Sequence, residues 1–147
     1  MNLLDTNHCS AIILGEPNVI RRIAEVGELN IATCVIVQGE LTYMMENSAK
    51  RETNLARLKD FLADIRIYSV IEDTASIYGQ LKAALMRQFG PKDKSKRRKT
   101  HITDLGFDEN DLWIAALALQ YNFTVVSADS DFQRIIQVTA LSVESWL

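Results

Sequence analysis

Asp5, Glu40, Asp111, Asp129 and Asp131 lie far apart in the chain, yet each falls where a strand or loop hands over to a helix. If those ends converge, several like charges come within a few ångströms of one another, and each resists ionising unless a cation neutralises it. A cluster made only of carboxylates suits a hard divalent ion, Mg²⁺ or Mn²⁺, which prefers oxygen ligands and is commonly shared between one or two carboxylates and a substrate phosphate. The chain's two histidines are too few for a zinc site of the His/Cys type, and they lack helical ligand spacing. His8 is expected to pack or hydrogen-bond near the first helix.

Each acid also has a structural use. Asp5 or Thr6 can cap a first helix, and Asp129 or Asp131 can cap a turn after its strand. Asp108 and Asp111, three apart at a helix start, have the spacing of a capping box, and Glu40 can face water on an amphipathic helix. Independent capping does not explain the joint pattern, in which two acids follow strands and two more open helices.

The elements that would position these residues read as short β-rich runs alternating with longer helical ones, the pattern of βαβ units around a parallel sheet. The apolar start at residues 2–4 is followed by a short helix from Asn7 to Leu14, then a helix from Pro17 to Val26 with Val19, Ile20, Ile23 and Ala24 on one face. Leu29 to Cys34 reads as a strand and Val35 to about Ser48 as a helix. An amphipathic helix over 52–64 precedes a strand near 65–70. Asp73 to Phe89 carries a buried stripe of Ala75, Tyr78, Leu81, Leu85 and Phe89, stopped by Gly90-Pro91. Residues 90–107 read as a long loop. A helix from Glu109 to Gln120, a strand over 123–127, a turn or short helix at Asp131 to Ile136 and a strand near Leu141 to Val143 complete the chain. Asp5 and Asp129 then stand at the carboxyl ends of strands, the edge where open α/β sheets bind ligands.

At 147 residues the chain is expected to form one domain spanning 1–147. No apolar stretch reaches the ~20 residues that span a bilayer and no signal peptide is evident, so a cytoplasmic location is expected. Cys9 and Cys34 form no metal motif or disulfide framework and read as reduced. The net charge of −3 hides an asymmetry: residues 92–99 carry +5, leaving −8 for the remainder. An acidic body with one concentrated basic arm suits a protein needing both a cation site and a hold on a polyanion, although a basic segment also serves as a solvated surface. Phosphate loops of the G-x-x-x-x-G-K-[ST] type, dinucleotide fingerprints and G-x-S-x-G turns are absent. The start Asp5-Thr6-Asn7 lacks the second aspartate of phosphatases that form a phosphoaspartate.

Four ordered motifs and a closing segment carry a resemblance. They are Leu4-Asp5-Thr6-Asn7, Gly39-Glu40-Leu41, Asn110-Asp111-Leu112-Trp113-Ile114-Ala115-Ala116 and Val126-Ser127-Ala128-Asp129-Ser130-Asp131-Phe132, with the ending Leu141 to Leu147. In these the chain resembles the PIN-domain ribonucleases, and within them the VapC-type toxins of bacterial toxin–antitoxin pairs. The resemblance implies a three-layer α/β/α fold around a mainly parallel sheet. It also implies a metal-dependent endoribonuclease acting on RNA, tRNA among the candidates, that is often a homodimer and is inhibited by a VapB-like antitoxin. The family's first three acids map onto Asp5, Glu40 and Asp111, and its fourth onto Asp131 or the adjacent Asp129. Thr6, Asn7, Asn110 and Ser127 would orient carboxylates or waters, and Lys92, Lys94, Lys96, Arg97, Arg98 and Lys99 would contact RNA phosphates. The alternative is a PIN-like module that binds RNA or protein without cutting. The sequence departs from the common pattern at 91–107, which many VapC chains cross with only a few residues.

Overall fold

A computed structural model describes all 147 residues. Its sheet comprises β1 (Asn2–Leu4), β2 (Ile31–Cys34), β3 (Arg66–Tyr68), β4 (Thr124–Val126) and β5 (Ser142–Glu144), all parallel, in the order β3-β2-β1-β4-β5. The N-terminal strand is central, with Leu3 facing Ala32 on one side and Val125 on the other. Leu3 and Leu4 are both fully buried, as expected of a parallel strand covered on both faces.

The helices are α1 (Thr6–Ile13), α2 (Pro17–Val26), α3 (Val35–Glu46), α4 (Arg51–Asp64), α5 (Glu72–Phe89), α6 (Lys94–Lys99), α7 (Glu109–Tyr121) and α8 (Ser130–Ile135). One packed group joins α1 to α2, α3 and α4; another joins α5 to α7 and α7 to α8; α3 meets α7 between them. Local chemistry sets the boundaries. Pro17 starts α2 and Gly27, at φ +90°, ends it. Asn122 adopts the left-handed conformation after α7, turning the chain straight into β4. On α7, Leu112 and the run from Ile114 to Ala118 are buried nearly all round, which fixes this helix between the sheet and α5. Tyr78 of α5 stacks on Trp113 of α7, with ring centroids 3.8 Å apart and planes 2° from parallel. No helix is long and apolar enough to cross a membrane.

The long loop expected over 90–107 is instead largely ordered secondary structure. Asp93 caps α6 by accepting the Lys96 amide at 2.9 Å, and the cationic side chains crowding its last turn complement the helix dipole. A 3₁₀ turn follows at Ile102–Leu105. Ile102 and Phe107 are buried, and the Arg134 guanidinium of α8 lies 3.8 Å from the centroid of the Phe107 ring and 4.7 Å from that of Phe89. The segment is therefore pinned at its far end by apolar burial and a cation–π contact, while the charged turn of α6 stays at the surface.

This division predicts unequal costs in urea unfolding. Phe107→Ala should cost about 3–5 kcal/mol, the usual range for emptying a buried phenylalanine site, whereas Lys96→Ala should change stability by less than about 0.5 kcal/mol.

Candidate metal centre and nucleic-acid cleft

Strand order reverses between β1 and β4, and the crevice beyond their carboxyl ends is where an open α/β sheet offers a ligand site. Both chain exits stay tied to the neighbouring strand there. The Asp5 amide donates to the Val126 carbonyl at 3.1 Å, and the Ser127 amide donates to the Glu144 carbonyl at 2.9 Å. Asp5 enters α1 as its N-cap and is only 5 % exposed. Its Oδ1 accepts both the backbone amide of His8, at 2.9 Å, and the His8 ring Nδ1, at 2.8 Å. Its Oδ2 makes no hydrogen bond within the protein.

On the other side of the reversal, Asp111, Asp129 and Asp131 converge, with one carboxylate oxygen from each lying within 4.8 Å of the others. Asp129 caps α8 by accepting the Asp131 amide at 2.8 Å, and its own amide donates to Ser127 Oγ at 3.0 Å. Asp131 is buried, and its Oδ2 accepts the Asp108 amide at 2.9 Å. The capping box expected between Asp108 and Asp111 does not form. Asp108 caps the Asn110 amide at 2.8 Å, and the Asp111 carboxyl turns instead toward Asp131. Burial first, then the charge of Asp129 and the hydrogen bond with Asp131, push Asp111 up to about 9. Burial and the neighbouring carboxylates thus disfavour the ionised form of Asp111.

Glu40 and Asp5 lie outside that group of three. Glu40 is held at the α3–α7 contact, where burial raises its pKa; the Thr6 hydroxyl and the Asn110 side chain lower it, and the charges of Asp108 and Asp5 raise it further. Asp108 thus neighbours both Glu40 and Asp111. Its role beyond the cap was hidden by its adjacency to a good helix start. Of the four residues expected to support the acids, Ser127 bonds Asp129, while Thr6 and Asn110 face Glu40. Asn7 is exposed and its side chain makes no hydrogen bond. The Thr6 hydroxyl is buried and has no partner at full hydrogen-bonding geometry.

The donor set therefore fits a hard divalent cation: oxygens only, a carboxyl that burial and like charge keep from ionising, and an orphaned hydroxyl beside the second acid. Two open clefts flank the acids. One, of about 670 Å³, is lined by Thr103, Gly106, Phe107, Asp108, Glu109, Asp129 and Asp131. The other, of about 410 Å³, is lined by Val35, Ile36, Gly39, Glu40, Tyr43 and Asn110.

The basic residues divide. Lys94, Arg97 and Arg98 of α6, joined by Arg87 of α5, line a surface groove of about 410 Å³ floored by Ala83 and Met86. Lys92, Lys96 and Lys99 lie outside it, and none of the seven makes a salt bridge. Arg87 was not foreseen because it belongs to the preceding helix and only folding brings it to the cluster.

The PIN domain family matches residues 3–137 of the chain. Ribonuclease VapC2 of Rickettsia felis is 30% identical over 147 residues, covering 98% of this chain and 96% of that protein. The tRNA(fMet)-specific endonuclease VapC of Shigella flexneri is 30% identical over 89 residues, 60% of this chain and 67% of the relative. Among solved structures, VapBC2 from Rickettsia felis bound to a DNA fragment from their promoter superposes with a TM-score of 0.78 at 26% identity, covering 99% of this chain and 98% of that one. DNA-bound VapBC from Salmonella typhimurium, at 23% identity and the same TM-score and coverage, supports the fold alone. The three-layer α/β/α expectation holds, and the chain belongs to the PIN-domain family and, within it, to the VapC ribonucleases.

Proposed function

We propose that this protein is a metal-dependent endoribonuclease, the toxin of a toxin–antitoxin pair, whose acids hold Mg²⁺ or Mn²⁺ at the strand-order reversal. The observation that carries the reading is the triad of carboxylates within 4.8 Å of one another, in which burial and then the neighbouring acids raise the pKa of Asp111. In support stand its relatives, named as VapC ribonucleases, and its fold neighbours, which are VapBC complexes. By that likeness its partners are an RNA and a VapB-like antitoxin, with a second copy of the chain completing a homodimer; tRNA is the first RNA to assay, given the relative specific for tRNA(fMet).

Asp111, Asp129 and Asp131 would hold the cation, and Asp5, through its Oδ2, and Glu40 would complete the acidic set around it. When bound, such an ion makes water more acidic and stabilises charge on phosphoryl oxygens. Glu40, with its raised pKa, is suited to take a proton from attacking water nearer neutral pH than an ordinary glutamate. The groove of Arg87, Lys94, Arg97 and Arg98 would hold RNA phosphates, which sets position without reading sequence.

The triad also links stability to pH. Asp111 is raised in the folded protein, so its stabilising contribution is complete below its ordinary value of 3.8 and is lost as pH climbs through about 9. With a divalent cation held by these carboxylates, Asp111 would be stabilised in its ionised form instead.

Three outcomes are expected. Cleavage of tRNA should require Mg²⁺ or Mn²⁺, stop with EDTA, and fall on the order of 10²-fold or more in Asp5→Asn and Asp111→Asn, the scale on which removing an electrostatic stabiliser slows catalysis; variants as active as the parent, or RNA bound with no cleavage, would sink the enzyme reading. In metal-free buffer the melting temperature should fall as pH rises from mildly acidic to alkaline, Asp111→Asn should flatten that fall, and the gain on adding Mg²⁺ should grow with pH. Arg87→Ala and Arg98→Ala should each weaken RNA binding and reduce the slope of log affinity against log salt by roughly one, with Lys96→Ala changing it less.

A further inference from the structure

His8 is fully buried and both of its ring nitrogens are engaged. Nε2 accepts the backbone amide of Trp146, at 3.1 Å and 138 residues away. A backbone N–H can only donate, so Nε2 must present its lone pair and the ring proton must sit on Nδ1. That proton is directed at Asp5 Oδ1, 2.8 Å away.

Trp146 is itself fixed. Its indole Nε1 donates to Glu144 Oε1 at 2.6 Å, and its ring meets the His8 ring edge-on, with centroids 6.4 Å apart. The Glu144 carbonyl in turn accepts the Ser127 amide, and Ser127 Oγ accepts the Asp129 amide. The C-terminal segment thus reaches the acids on both sides of the strand-order reversal, through His8 to Asp5 and through Ser127 to Asp129.

We propose that His8 is the positioning residue for Asp5, a ring kept in one tautomer by the C-terminal segment so that Oδ1 is occupied and Oδ2 would be left to the cation. Two donors from one residue occupy Oδ1, which stops the carboxylate from rotating or chelating with both oxygens. Partners of this kind typically change metal affinity 10–100-fold when removed. The inference rests on the cation-binding reading of the acids.

Two substitutions separate the ends of the relay. His8→Gln reaches far enough to accept the Trp146 amide but offers no donor where Nδ1 stood; His8→Asn keeps a donor near Asp5 and abandons Trp146. In calorimetric titration of the intact protein with Mn²⁺, His8→Gln should bind roughly tenfold or more weakly, and His8→Asn should bind more tightly than His8→Gln even where it melts at a lower temperature. Affinity equal to the parent in His8→Gln, or losses that simply follow melting temperature across the two variants, would overturn the proposal. A parent that binds no Mn²⁺ overturns the cation reading and this inference with it. A readout independent of metal is the ring's own ¹⁵N spectrum, with exposed His101 as the internal comparison. It should show the Nδ1–H tautomer for His8, and an Nε2–H tautomer refutes the relay whatever the metal does.

Discussion

Repulsion between carboxylates is the constraint around which this fold is arranged. Three of them are brought within 4.8 Å in a partly buried crevice, where each disfavours the ionisation of the next. Such an arrangement opposes folding, and it persists because the acids around Asp111 are also bound into the backbone. Asp5 and Asp129 each cap a helix, Asp131 accepts the amide that precedes α7, and Asp108 caps α7 while standing between the triad and Glu40. The capping bonds supply local stability that offsets part of this repulsion. Structural and chemical readings of these acids are therefore not rivals, because the capping bonds of Asp5 and Asp129 each engage only one carboxylate oxygen.

The switch of strand order makes this sharing possible. It separates the exits of β1 and β4 just enough to open a crevice, while the amides of Asp5 and Ser127 extend the strand ladders beyond the formal strands. The side walls come from elsewhere. Phe107, held by Arg134 and by burial, delivers Asp108 to Asp131, and the α3–α7 contact delivers Glu40 to Thr6 and Asn110. Losing any wall would loosen the acids without touching them.

What the sequence made legible is what depends on local rules. Strand and helix periodicity, Pro17 and Gly27 as punctuation, and acids at element ends all follow from neighbours a few residues apart. The basic segment was misread as a loop because six cations in eight residues present no apolar periodicity; its helix depends on the Asp93 cap and on anchors that lie beyond it, at Ile102 and Phe107. The Asp108–Asp111 spacing suggested a capping box, and the actual partner of Asp111 lies twenty residues on, across the crevice. His8 was expected to bond locally. Its contact with Trp146 becomes visible only once β5 has joined the sheet, since no rule of spacing links residues 8 and 146.

The central position of β1 has a consequence for synthesis. β1 lies in the middle of the sheet, and its neighbour across the strand-order reversal, β4, begins only at Thr124. Pairings so distant along the chain form late, because closing the long loop between them costs entropy before any contact rewards it. Asp5 and Glu40 are synthesised well before Asp129 and Asp131, so the crevice closes only once β4 has paired with β1.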